Sequence, residues 1–281
     1  MKYIGILGST GSVGRQALEV IKENPNKFKV KYLSCNRNFI ELIKQINFFK
    51  PTYVSINTIK RQQKIIEFIK SENINCEVLL EKDLINKIKV DIVLNAISGY
   101  EGLEPTINII KTGTDIALSN KESIVQAGHI VMKLAKKNKV NIFPVDSEHS
   151  AIWQCLIGEN KDNVKRLILT ASGGPFRKLD KSKFSKITKE QALNHPNWSM
   201  GDKISIDSAT MMNKGFELIE AYWLFGINLD KIDIIVHPQS LIHSMVEYID
   251  GSIKAQISSP DMKLPIQYAF SYPERYSIND L

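Results

Sequence analysis

Cysteine is scarce. Cys35, Cys76 and Cys155 are the three in 281 residues, too far apart for a CxxC pair and too few for a disulfide framework, which excludes a stapled secreted scaffold and fits a reducing compartment. Long apolar runs are missing too. No stretch approaches the roughly 20 residues that a membrane span needs, and nothing resembling a secretory or transit segment precedes the first apolar run. The expectation is a cytoplasmic protein with no membrane partner. There is also no basic block: the net charge is +7, but the lysines are spread along the chain, which argues against a nucleic-acid partner. With 43% hydrophobic and 24% charged residues the chain is not of disordered composition. Its length exceeds what one hydrophobic core usually serves, so two domains or one elaborated α/β domain are expected.

The stretch "KYIGILGSTGSVGRQALEVIKEN" runs from an apolar segment, Tyr3 to Leu7, through a Gly/Ser/Thr turn into a helical pattern with Val13, Ala17, Leu18 and Ile21 on one face. Gly8, Gly11 and Gly14 space as G-x-x-G-x-x-G, a variant of the dinucleotide fingerprint with Ser9 in place of a usual glycine. Such a turn lets backbone approach a pyrophosphate, and N–H groups at the helix start attract it. Alternation continues through "FKVKYLSC", "FIELIKQINFF", "PTYVSIN" and "VDIVLNAIS", which predicts an α/β fold with a parallel sheet. An NAD site usually carries Asp or Glu at the end of the second strand. Here stand Ser34, Asn36, Arg37 and Asn38. No carboxylate in that stretch opposes a 2′-phosphate and Arg37 can pair with one, so NADP(H) is favoured over NAD(H).

"TDIALSNKESIV" reads as a strand to Leu118 and a helix from near Glu122. Asn120 and Lys121 fall just past the strand's carboxyl end, where open α/β sheets bind ligands; a helix cap is the plain alternative. "VNIFPVDSEHSAIWQCL" repeats the layout. Asp146 and Glu148, two apart, leave an extended segment on the same side, and carboxylates held together need a proton or cation between them. Oxygen donors without a His/Cys set suit Mg²⁺ or Mn²⁺ over zinc, while acidic residues favouring a helix N-terminus remain the bland reading. Over residues 209–225, Met211, Met212, Phe216, Ile219, Trp223 and Leu224 recur at mostly helical spacing and are expected in the core. Asn213, Lys214 and Glu217 can face one ligand, or Lys214 and Glu217 can form a surface ion pair contributing about 0.3–0.5 kcal/mol. Residues from about 172 to 203 have weak periodicity, and Trp198 between Pro196 and Met200 points to an active-site lid.

The motifs "GSTGSVG", "LSNKES", "PVDSEHSA", "TASGGPF", "HPNWSMG", "DSATMMNKGFELIEA" and "HPQSLIHSMVE" follow one another along the chain. Through them the sequence resembles the 1-deoxy-D-xylulose 5-phosphate reductoisomerase family over essentially its whole length. The resemblance implies rearrangement and NADPH-dependent reduction of that phosphorylated sugar to 2-C-methyl-D-erythritol 4-phosphate, an isoprenoid precursor, with one divalent cation per active site. It implies Asp146, Glu148 and Glu217 as metal ligands, and Lys121 and His195 beside Glu148 and Glu217 as catalytic groups. Ser147 and Lys121 would meet the substrate's oxygen-bearing carbons, Ser172, Ser208, Asn213 and Lys214 its phosphate. His195 and Trp198 would close over it, with Ser240 on the substrate side and His237 and His243 structural. The cofactor would be met by Gly8, Thr10, Gly11, Ser12, Val13, Asn36, Arg37, Asn38, Asn120, Glu122, Met200 and Gly201. Two departures stand out. Asp202 follows Gly201 where the family commonly has a basic or polar residue, and the family's C-terminal helical bundle is absent from this sequence, which ends at "PERYSINDL".

The expected architecture is an N-terminal Rossmann-like dinucleotide-binding domain over 1–148 and an α+β catalytic and connective domain over 149–281. A hairpin turn at Asp250 and Gly251 is expected in a sheet that pairs two copies into a homodimer. Two rivals compete with the reductoisomerase reading. A catalytically silent NADPH-binding and dimerisation fragment would bind cofactor without turnover. An NADP-dependent semialdehyde dehydrogenase would need a cysteine nucleophile, and Cys155, inside an apolar helical stretch, is poorly placed for that.

Overall fold

The structure, a computed structural model, describes residues 1–194 and 201–277. Packing divides them into two units, one formed by Met1–Val145 with the chain from Met262 onward, the other by Asp146–Asp261.

The first unit is built on seven strands: β1 (Lys2–Leu7), β2 (Phe28–Cys35), β3 (Tyr53–Ile56), β4 (Glu77–Val78), β5 (Ile92–Asn95), β6 (Asp115–Leu118) and β7 (Ile142–Pro144). They lie in the order β4-β3-β2-β1-β5-β6-β7, every neighbouring pair parallel. The strands read as near-continuous apolar runs because a parallel sheet is covered on both faces, and Ile4, Ile6, Leu33, Val54 and Leu94 are fully buried. Leu7 pairs with Ser34 on one side and Asn95 on the other, and Asn95 with Leu118. The carboxyl ends are therefore level, and the turns that follow them share one edge. The strand order reverses at β1, the crevice where doubly wound sheets bind ligands.

The expected division at 148/149 does not capture the return of the chain. Helix Lys263–Ser271 packs on helix Ser12–Glu23. Lys2 Nζ donates to the Phe270 carbonyl at 2.9 Å, Lys263 lies 3.5 and 3.4 Å from Glu19 and Glu23, and Phe270 meets the edge of Phe28 with ring centres 5.8 Å apart. Ile266 and Phe270 are fully buried there. Phe270→Ala is expected to destabilise this unit by about 3–5 kcal/mol, the usual cost of emptying a core phenylalanine site. Denaturant unfolding checks this, and an unmoved midpoint would show that the returning helix contributes little.

The second unit carries β8 (Val164–Ala171), β9 (Ile232–Val236), β10 (Ile242–Tyr248) and β11 (Ile253–Ile257) in the order β11-β10-β8-β9. β10 runs antiparallel to both β8 and β11, whereas β8 and β9 are parallel. The hairpin between β10 and β11 turns at Asp250-Gly251: Gly251 has φ +84, and the Asp250 carboxylate accepts from both the Ser252 amide and its hydroxyl. Ile152, Leu167, Leu169, Ala221 and Val246 form a fully buried centre between this sheet and its helices. The weakly periodic stretch after β8 contains a 3₁₀ turn, Lys181–Lys186, and a helix, Lys189–Leu193, started by a Thr188/Gln191 capping box. Elements this short leave little periodicity to read. Among the described residues no helix is long and apolar enough to cross a membrane.

Candidate active site

A cluster of polar side chains in the second unit starts where the chain enters helix Ser147–Leu156. Asp146 is the N-cap residue and Glu148 sits in the first turn, so the two carboxylates converge at a helix start and not along an extended segment. That position suits them, since a helix N-terminus favours negative charge. The third acid arrives from helix Met212–Phe225. One ligand oxygen each from Asp146, Glu148 and Glu217 lies within 4.8 Å of the others.

The helix that brings Glu217 differs from its sequence pattern. Met211 adopts a left-handed conformation, φ 62, which breaks the run into helices Asp202–Ala209 and Met212–Phe225. Met211 and Met212 are 37% and 50% exposed instead of lying in the core, while Lys214 is 5% and Glu217 0% exposed. The buried stripe thus carries the charges, and a surface ion pair is ruled out. Lys214 Nζ donates to Glu148 Oε1 at 2.9 Å, to Glu217 Oε2 and to the Thr170 carbonyl. Burial alone would lower its pKa, but the Glu148 and Glu217 carboxylates outweigh that and hold it above the usual lysine value. Asn213 Nδ2 donates to the other Glu217 oxygen, and Asn213 Oδ1 is buried without a hydrogen-bond partner among the described residues.

His149, which sequence reasoning left without a role, ties the acids together. Fully buried, it bonds Asp146 Oδ1 through Nδ1 at 3.0 Å and the Glu217 carbonyl through Nε2 at 2.9 Å. Burial lowers its pKa, yet the Glu220 carboxylate and the bond to Asp146 override this and raise it to about 9. The imidazolium can then donate from both nitrogens, fixing the Asp146 carboxylate against the backbone of the Glu217 helix. Its signal in the sequence was its position three residues after Asp146, on the same helix face.

The donor set fits a hard divalent cation. It is all carboxylate oxygen, and the Lys214 ammonium already places positive charge between two of the three acids. Just past β8, Ser172 Oγ accepts from the Gly174 amide at 3.2 Å. Gly174 has φ +68, and a Cβ there would stand 2.7 Å from the Ser208 carbonyl. Only glycine lets the Ser172 turn lie this close to Ser208. Ser147 bonds Glu148 through its hydroxyl. Ser240 is nearly buried with φ 55. His195, Trp198 and Met200 lie outside the described residues, and Gly201 is the N-cap residue of helix Asp202–Ala209.

In the first unit, Gly8 has φ +76 and a Cβ there would fall 2.6 Å from the Ala96 carbonyl; a Cβ on Gly14 would fall 2.4 Å from the Gly8 carbonyl. Helix Ser12–Glu23 begins with no side-chain cap and no acidic residue in its first turn, so its leading amides suit a pyrophosphate. Thr10, Gly11, Ser12 and Val13 belong to this turn. Asn36 and Arg37 are exposed at the end of β2, and Asn38 caps the next helix through the Glu41 amide. A carboxylate does reach this end of the sheet. Glu81 accepts from Ser34 Oγ at 2.6 Å, brought by helix Glu81–Lys87 from far along the chain. Burial, with Glu101 and Glu104 nearby, pushes its pKa up, which favours the neutral acid. Asn120 takes the cap role: it accepts from the Ser123 amide at 2.8 Å and donates to the Ile97 and Gly99 carbonyls and to Glu122. Lys121, 7% exposed, starts helix Lys121–Asn138.

The 1-deoxy-D-xylulose 5-phosphate reductoisomerase family profile matches residues 4–128, and the profile of that enzyme's C-terminal domain matches residues 142–225. The chain belongs to the 1-deoxy-D-xylulose 5-phosphate reductoisomerase family. It is 53% identical to the 1-deoxy-D-xylulose 5-phosphate reductoisomerase of Clostridium tetani, over 98% of this chain and 73% of that protein. Its identity to the enzyme of Thermoanaerobacter pseudethanolicus is 54%, over 100% of this chain and 74% of the relative. A crystal structure of DOX-P reductoisomerase with NADPH, fosmidomycin and magnesium superposes with a TM-score of 0.93 at 39% identity, covering 99% of this chain and 71% of that one. The Zymomonas mobilis reductoisomerase in complex with NADPH gives 0.89 at 41% identity, covering 99% and 72%.

Other polar groups of the chain are engaged in holding backbone. His237 Nε2 accepts from the Leu241 and Ile242 amides at 3.3 and 3.2 Å, and His243 Nε2 meets the Ser258 carbonyl at 3.1 Å. The Cys155 thiol is buried and its pKa is pushed up to about 11, which keeps it protonated and unsuited to the nucleophilic role that a semialdehyde dehydrogenase requires.

Proposed function

We propose that this protein converts 1-deoxy-D-xylulose 5-phosphate to 2-C-methyl-D-erythritol 4-phosphate with NADPH and one divalent cation, Mg²⁺ or Mn²⁺, on the route to isoprenoids. The observation that carries the reading is the meeting of Asp146, Glu148 and Glu217 with the buried Lys214. When bound, the cation supplies Lewis acidity toward the substrate's ketone and hydroxyl oxygens and NADPH supplies the hydride. Asp146, Glu148 and Glu217 hold the cation, and His149 keeps Asp146 in register with the Glu217 helix. Ser172, Ser208, Asn213 and Lys214 grip the phosphate, whose binding energy orients the reacting carbons. Ser147 and Lys121 take the substrate's oxygens. His195, Trp198 and Ser240 keep the substrate-side roles that the motifs assign them. In the first unit the Gly8–Gly14 turn takes the pyrophosphate, Asn36, Arg37 and Asn38 the 2′-phosphate, and Asn120 and Glu122 a further part of the cofactor; Met200 and Gly201 keep the cofactor-side roles that the motifs assign them.

Two further features bear on assembly and location. Ile234, Ile235, Val236, Ile253 and Ile257 are exposed on the outer strands β9 and β11, which supports pairing of two copies into a homodimer. Three free cysteines suit a reducing cytoplasm.

The purified protein is expected to oxidise NADPH only when 1-deoxy-D-xylulose 5-phosphate and Mg²⁺ or Mn²⁺ are both present, followed by the loss of NADPH absorbance. NADPH binding without turnover would overturn the reading in favour of a silent cofactor-binding module, which relatives bearing the enzyme's name do not favour.

A further inference from the structure

Ser9 sits inside the glycine turn with no exposed surface, and its polar groups are all engaged within the first unit. Its amide donates to the Ser34 carbonyl at 2.9 Å. Its hydroxyl donates to Gln45 Oε1 at 2.7 Å, and its carbonyl accepts from Gln45 Nε2 at 3.0 Å. Gln45 comes from the helix Phe39–Phe49, 36 residues away in sequence, and is itself only 4% exposed. One carboxamide thus satisfies a donor and an acceptor of the same residue, which neither a carboxylate nor an apolar side chain can do. From the other side Gly14 presses on Ser9, since a Cβ on Gly14 would come within 2.6 Å of the Ser9 Cα. Ser34 is fixed in turn by Glu81. Amides that recognise a pyrophosphate must be held in place before it arrives, because ordering them on binding costs affinity.

We propose that Gln45 is a positioning residue for the cofactor: by clamping Ser9 it fixes the turn whose amides receive the NADPH pyrophosphate. The proposal rests on the reading of that turn as the cofactor site. Gln45 is buried and, in this proposal, acts through Ser9.

The test is Gln45→Met, which keeps length and volume but removes both hydrogen bonds, measured beside Ser9→Ala and the double variant. NADPH affinity is read from its fluorescence, Mn²⁺ affinity from paramagnetic resonance, and kcat at saturating NADPH. Loss of the clamp is expected to weaken NADPH binding about tenfold, from breaking buried hydrogen bonds. Mn²⁺ affinity and saturated kcat should stay within about twofold, because the carboxylates belong to the other unit. Ser9→Ala should weaken NADPH less, and the double variant no more than Gln45→Met alone. NADPH affinity within twofold of wild type in Gln45→Met would overturn the proposal, as would parallel losses of NADPH and Mn²⁺ affinity, which mark a general structural defect. Should Gln45→Met not fold, additive losses in Ser9→Ala combined with Gln45→Asn would overturn it. Failure of the wild type to bind NADPH would sink the cofactor reading itself and the clamp with it.

Discussion

Glu217→Gln is expected to lower turnover by about 10³-fold or more, since each tenfold needs only some 1.4 kcal/mol and a lost metal ligand forfeits several. The substitution removes charge while conserving volume. Glu217 is fully buried, meets Asp146 and Glu148 within 4.8 Å, and bonds both Asn213 and Lys214. In the variant the amide nitrogen can face the Lys214 ammonium, donor against donor, and the cation site keeps two acids of three. Lys214 still holds Glu148 and the Thr170 carbonyl, so the helix should stay in place. The proposed pyrophosphate turn belongs to the other unit, so NADPH affinity should remain near the wild-type level. Steady-state kinetics with a parallel NADPH titration checks this, and near-normal turnover would remove Glu217 from the metal site.

The second large effect is expected at Lys214. Lys214→Met leaves the buried carboxylate of Glu217 and the part-buried one of Glu148 without their ammonium, and breaking a buried ion pair on one side typically costs about 3–5 kcal/mol. The loss should be full in the presence of a chelator. Saturating Mg²⁺ should recover part of it, about 2.7 kcal/mol at a hundredfold excess over its dissociation constant, because the cation replaces the missing charge in the folded state alone. Thermal unfolding with EDTA and with Mg²⁺ separates the two conditions. A variant as stable as wild type in EDTA would mean that the ammonium contributes little net energy, and a variant whose own stability is the same in EDTA and in Mg²⁺ would mean that Mg²⁺ does not bind among these acids. On the proposed role of Lys214 as a charged contact to the substrate's phosphate, turnover should fall by about a hundredfold even with Mg²⁺.

Much of the architecture follows from local pattern. Apolar runs bounded by turns and followed by helical spacing mark a parallel sheet, and glycines at 8, 11 and 14 mark the strand-turn-helix unit because no Cβ fits where Gly8 and Gly14 lie. Asp250-Gly251 marks its hairpin for the same kind of reason. Other features leave no local trace. Met211 and Met212 carry the right spacing for a core and are exposed, because the interior stripe of their helix is taken by Lys214, Glu217 and Glu220, which are tolerable there only through partners on other segments. Glu81 at Ser34 and Gln45 at Ser9 are likewise contacts across 47 and 36 residues.

By itself the sequence determined the succession of strands and helices, the glycine turn and the family, since periodicity, glycine sterics and contiguous motifs act between near neighbours. Tertiary structure alone decided that Lys214 is buried between Glu148 and Glu217, that His149 joins Asp146 to the Glu217 backbone, and that the chain from Met262 rejoins the first unit. The physical reason is the cost of burying charge: it is met only when distant segments fold together and supply the opposite sign, and that meeting is not encoded in the spacing of any one segment.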